Sequence, residues 1–183
     1  MRSYLLTFAR LGDHFRYHEQ YEKARIPTFY PWMTEYKSVQ YGGFKIKAFD
    51  NPHGDITSYG FYIEHEDFGK LIFVTDAELV KYSFKDMKVN HIMVEANYQN
   101  DLLDMDSVNF EHKVRGHCSI DTACSFIEHN NSPELRTVTL IHSNPTTLDE
   151  KGAVERVKGI VDDDVVVGVC HPGYEIELKK EVF

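Results

Sequence analysis

The sequence predicts a mixed α/β (α+β) fold built as one domain. Short apolar runs rich in β-branched and aromatic residues recur along the chain, each bounded by Gly, Pro, Asn or Asp. A later segment places Ile120, Ala123, Cys124 and Ile127 at i, i+3, i+4 and i+7, the stripe of an amphipathic helix. No repeat, low-complexity tract or linker divides the 183 residues, so residues 1–183 are expected to share one core.

Taken in order, residues 3–8 read as a strand and residues 13–24 as a helix with Tyr17, Tyr21 and Ala24 on one stripe. Asp13 can cap that helix, because its carboxylate accepts the free amide protons of the first turn. Pro27 interrupts the pattern, and Thr28-Phe29-Tyr30 reads as a short strand. Strands are expected at Phe44 to Phe49, Ser58 to His65 and Lys70 to Thr75, separated by the turn-rich stretches Asn51 to Asp55 and Glu66 to Gly69. Another follows at His91 to Glu95. The striped helix runs from Ser119, a natural cap, to His129. A strand at Arg136 to Ile141, a helix at Leu148 to Lys158, and strands at Val165 to Cys170 and Tyr174 to Leu178 complete the chain.

Composition narrows the function classes. Twenty basic against twenty-nine acidic side chains give a formal charge of −9, which repels polyanions and disfavours non-specific nucleic-acid binding. A phosphate-bearing small molecule or nucleotide stays compatible with that charge where a bound cation reverses its sign locally. No apolar run reaches the roughly 20 residues of a membrane span, and the N-terminus lacks the pattern of a signal peptide. Cys118, Cys124 and Cys170 are odd in number and lack paired metal spacing, which suits a reducing compartment. A cytoplasmic protein without membrane contact is expected.

The candidate chemistry lies where strands end. His53 follows Ile46 to Phe49, Asp76 follows Leu71 to Thr75, Glu95 follows Ile92 to Val94, and His142 follows Val138 to Ile141. A sheet holds such side chains rigidly while the adjoining loops leave room for a ligand. With Asp13 and His14 at the first strand-to-helix junction, they make a set of imidazoles and carboxylates suited to zinc or manganese. His18, His65, His112 and His129 are read as surface, turn or loop residues. His171-Pro172-Gly173 reads as a turn, and Asp162-Asp163-Asp164 as a solvated one, without the alternating spacing of a calcium loop.

Six short stretches carry a family resemblance. They are Phe49-Asp50-Asn51-Pro52-His53, Tyr59-Gly60-Phe61, Phe73-Val74-Thr75-Asp76, Glu95-Ala96-Asn97, Gly116-His117-Cys118-Ser119 and Leu140-Ile141-His142. In this order and spacing the chain resembles the metallo-β-lactamase-fold hydrolases, specifically the small bacterial and phage-borne branch related to tRNA-processing ribonuclease Z. The resemblance implies an αββα sandwich lacking the usual N-terminal strands, since Met1 stands only a few residues before the first motif position. An uncovered edge or apolar face of that kind leads us to expect a homodimer.

The family's first motif, His-x-His-x-Asp-His, is degenerate. Asp13 and His14 match its last two places, but Ala9 and Leu11 occupy the histidine places, and a one-residue slip puts Phe8 and Arg10 there instead. The resemblance therefore implies one ion, Zn2+ or Mn2+, held by Asp13, His14, Asp76 and His142. The other family centre would keep only His53 and a share of Asp76. It further implies that Asp13 or Asp76 orients the attacking water and that His117 protonates the leaving oxygen of a phosphodiester. The expected function is thus a metal-dependent, phosphodiesterase-like hydrolase with one centre reduced. The alternative is a catalytically inactive binding protein on the same scaffold.

Overall fold

One sheet organises the chain in a computed structural model that describes residues 38–180. Asp13, His14, the first expected strand and helix and the Thr28 to Tyr30 strand lie outside the described residues. Seven strands follow one another across a single sheet: β1 (Ser38–Tyr41), β2 (Phe44–His53), β3 (Ile56–His65), β4 (Gly69–Val74), β5 (His91–Glu95), β6 (Thr137–Ile141) and β7 (Val166–Val169). Pairing is antiparallel from β1 to β4 and parallel from β4 to β7. Tight turns suffice for the first half. The parallel half needs crossovers, which carry α1 (Phe110–Gly116), α2 (Ile120–Asn130) and α3 (Glu150–Lys158).

Side-chain alternation splits the sheet into two apolar faces. Ile72, Val74, Ile92, Val94, Val138 and Leu140 pack with Ala123 and Ile127 of α2 and Ala153 and Val157 of α3. Leu71, Phe73, Phe61, Ile63, Ala48 and Ile141 form the opposite face, against which Cys170 and Leu178 also pack. The helical stripe read from sequence is the buried face of α2, and the Ser119 hydroxyl accepts the Thr122 amide proton at 3.1 Å as its cap.

Three expectations need correction. β2 does not stop at Phe49 but runs to His53, so the turn is only Gly54-Asp55, with Gly54 at φ 58°. Pro52 fits inside that strand because β1 pairs only as far as Lys47. The Pro52 carbonyl instead accepts the Glu78 amide, which turns the side lacking an N–H away from β3. Residues 174–178 form no strand. Tyr174 lies against Gly168 and Leu178 against the second apolar face, so side-chain packing holds this alternating segment without a ladder. Finally, His112 lies not in a loop but in α1. No helix among the described residues is long and apolar enough to cross a membrane.

Candidate metal centre

Four strand ends and the end of α1 deliver a cluster of imidazoles and carboxylates to one edge of the sheet. His53 is the last residue of β2, Glu95 the last of β5 and His142 the first after β6, while Asp76 lies two residues beyond β4. His117 immediately follows α1. Two of these positions are reached through the left-handed backbone region, with Asp76 at φ 51° and His142 at φ 53°. That conformation costs about 1 kcal/mol or more for a residue with a Cβ. Each turns the chain sharply off its strand and aims the side chain back over the sheet edge.

Glu95 organises the cluster. Its carboxylate is wholly buried, with Oε1 2.7 Å from His117 Nδ1 and 3.2 Å from His142 Nδ1. Its Oε2 accepts the Ala77 amide proton at 3.1 Å. Burial pushes the Glu95 carboxyl upward, but its hydrogen bonds to His117 and His142 outweigh that and hold it below the ordinary carboxylate range. A buried carboxylate held between two imidazoles fixes the orientation of both rings.

The remaining members close around this pair. His142 Nδ1 lies 3.5 Å from Asp76 Oδ1 and 3.3 Å from Thr75 Oγ1, and the His142 carbonyl accepts from Asn97 Nδ2 at 2.8 Å. The nearly buried His53 donates from Nδ1 to the Gly116 carbonyl, while the Gly54 amide donates to the Arg115 carbonyl at 2.7 Å. These two bonds staple the tip of the β2–β3 hairpin to the end of α1. Gly116 permits the approach: a Cβ there would come within 3.2 Å of the His53 ring.

Of the residues singled out from sequence, His53, Asp76, His117 and His142 thus meet at one edge, together with the strand-end Glu95. Asp13 and His14 lie outside the described residues. The exposed His112 joins them unforeseen, its ring centre 6.2 Å from that of His53 and 5.7 Å from that of His117. Its only sequence signal is position, five residues before His117 across a short helix.

The donor chemistry fits a divalent ion. Ligand atoms of His53, Asp76 and His117 lie within 4.8 Å of one another, and so do those of Glu95, His117 and His142. Two imidazoles on one tetrahedral ion have ring centres about 5 Å apart, given nitrogen–metal distances of about 2.0 to 2.1 Å. The His53–His117 and His117–His142 ring centres stand 5.3 and 5.1 Å apart.

Comparison with known proteins places the fold. No family model matches the chain, and no curated protein matches it. Solved structures do. The metallo-β-lactamase fold protein YhfI from Bacillus subtilis aligns at TM-score 0.55 and 15% identity over 75% of this chain and 51% of its own. An isothiocyanate hydrolase from Delia radicum gut bacteria aligns at 0.55 and 15%, over 79% and 58%. A diphosphatase from the PhnP family aligns at 0.53 and 14%, over 81% and 49%. The fold is therefore metallo-β-lactamase-like, and the chain spans about half the length of these structures. Its described residues form one seven-stranded sheet with α2 and α3 packed on one face.

Proposed function

We propose that the protein is a metal-dependent hydrolase acting on a phosphodiester or a related phosphate ester, with a single divalent ion, Zn2+ or Mn2+, in the cleft at the sheet edge. The observation that carries this reading is the wholly buried Glu95 clamped between His117 and His142, beside Asp76 and His53. A structural ion pair gains nothing from extra imidazoles gathered around it, whereas hydrolysis needs ligands, a proton carrier and a carboxylate together. Hydrolase chemistry among the structurally similar proteins, the diphosphatase and the isothiocyanate hydrolase, points the same way.

The roles follow from position. Asp76, common to the ligand set of the resembling family and to the cluster seen here, is the central ligand. A bound ion supplies a polarised phosphoryl oxygen and lowers the pKa of its water to about 7. Glu95 holds the Nδ1 edges of His117 and His142, and so fixes which imidazole edge faces a substrate. The net charge of −9 leaves the cation as the attraction for an anionic ester.

Elemental analysis of purified full-length protein after incubation with zinc or manganese, paired with hydrolysis of bis(p-nitrophenyl) phosphate, tests this. One equivalent of metal and metal-dependent turnover are expected, both lost in Asp76→Ala. Protein that retains no ion and cleaves no ester is instead a catalytically silent binding protein on this scaffold.

A further inference from the structure

Resting on the metal-dependent reading, we infer that the ion is held by His53, Asp76 and His117, so that His117 is a metal ligand of this chain and Glu95 its positioning partner. The starting observation is tautomeric. His53 Nδ1 faces the Gly116 carbonyl and His117 Nδ1 faces the Glu95 carboxylate, and both partners can only accept. Each Nδ1 therefore carries a proton, and in the neutral ring the lone pair sits on Nε2. Neither Nε2 has a hydrogen-bond partner among the described residues. An imidazole that donates from one nitrogen to a carbonyl or carboxylate and leaves the other open is the usual form of a metal-bound histidine.

Geometry selects the third ligand. Asp76 is the carboxylate whose oxygen lies within 4.8 Å of a ligand nitrogen on both rings. The ring spacing of 5.3 Å suits two imidazoles on one ion. Two histidines and one carboxylate make a three-ligand set that leaves a position open, the arrangement of catalytic rather than structural sites. Nothing in this set depends on Ala9 or Leu11. His117 thus restores to three the ligand count of a centre that would otherwise keep only His53 and Asp76. His142 is different in kind: its Nδ1 edge faces Glu95, Asp76 and Thr75, and it braces two of the carboxylates from the side.

Cobalt(II) titration of the full-length protein, followed by its visible absorption, tests the assignment. Wild type is expected to saturate at one equivalent. His53→Ala and His117→Ala should each weaken cobalt binding well beyond about 100-fold, and His142→Ala only about 10-fold, the low end of what loss of a ligand's support costs. His117→Cys, kept reduced, should bind cobalt and gain a near-ultraviolet thiolate-to-cobalt charge-transfer band that wild type lacks. That gain appears only when residue 117 touches the metal, so it stands even where alanine loosens the fold. Cobalt bound to His117→Cys without the band overturns the inference, as does a His117→Ala protein that binds like wild type. An ion bound as described with no ester hydrolysis overturns the hydrolase reading alone and supports this assignment.

Discussion

Glu95 Oε1 sits 2.7 Å from His117 Nδ1, while the other oxygen of the same carboxylate accepts the backbone amide of Ala77. One side chain therefore joins the end of β5 to the segment after α1 and to the turn after β4. Glu95→Gln removes an acceptor that no rotamer can restore. If its amide oxygen faces the histidines, its NH2 meets the Ala77 N–H; if flipped, the NH2 meets the imidazole donors. We expect a loss of about 1 to 3 kcal/mol in urea denaturation, the cost of one buried unsatisfied group. Metal affinity should fall about 10- to 100-fold with the loss of a histidine's carboxylate partner.

A pH effect should come from the far end of the same strand. His91 is fully buried, with Nε2 3.0 Å from the Phe68 carbonyl and Nδ1 2.9 Å from Thr137 Oγ1. Burial pushes its pKa down to about 4 from the usual 6.5, and the bond to Phe68 offsets this only in part. Between those values the unfolded chain binds a proton that the folded chain does not, so stability falls as pH is lowered from about 6.5 to about 4. The loss over this window is on the order of 3 kcal/mol. His91→Gln, which cannot titrate, should flatten this part of the stability-against-pH curve; an unchanged slope would assign the effect elsewhere.

Gly60 lies directly across from Phe49 in the β2–β3 ladder. A Cβ at this position would come within 2.4 Å of the Phe49 ring and 2.9 Å of Asn51 Nδ2. Phe49 in turn packs against Phe84 with ring centres 5.0 Å apart, so it has little room to yield. Gly60→Ala is expected to cost about 1 to 3 kcal/mol by overpacking. Thermal melting would detect it as a lowered midpoint, and pairing it with Phe49→Leu should recover part of the loss.

Asn130 closes α2 with both ends of its amide in use. Its Oδ1 accepts the Phe84 amide at 2.7 Å, its Nδ2 donates to the Phe126 carbonyl at 2.8 Å, and the residue is wholly buried. Asn130→Leu should destabilise by about 2 kcal/mol, because the Phe84 amide then lacks an acceptor. Asn130→Asp keeps that acceptor but turns a donor into a second acceptor facing a carbonyl, so it should also destabilise, and more so at neutral pH than at pH 4.

Much of the sheet was legible in the sequence because its parallel strands are buried on both faces and read as unbroken apolar runs, as in Leu71-Ile72-Phe73-Val74. His91–Glu95 and Thr137–Ile141 follow from the same signal to within a residue. α1 was missed for the opposite reason. Phe110 to Gly116 is too short to show a helical period, and only Gly116 in it is buried. Its place comes from the hydrogen bonds of Gly54 and His53 to Arg115 and Gly116, contacts between residues some 60 positions apart. His112 went unrecognised with it. Tyr174 to Leu178 shows the converse, a strand-like alternation that meets no partner edge. The left-handed turns at Asp76 and His142 left no trace in the sequence either, since neither is glycine.

The excursion between β5 and α2 begins and ends at one point. Tyr98 and Ser119 pair as an isolated bridge, secured by hydrogen bonds from Asn97 to Cys118 and from Ile120 to Tyr98. The stretch from Gln99 to Cys118 lies between those clamped ends, and its exposed Met105 and Val108 are far in sequence from the bonds that also tie Arg115, Gly116 and His117 down. Lengthening a loop whose ends are already clamped together adds little closure entropy, with each doubling costing about 0.6 kcal/mol. Residues 103–108 can therefore be rewritten or extended by directed evolution while the sheet-borne half of the cleft stays where it is. The exposed part of this excursion is thus open to selection independently of the side chains that the strand ends carry.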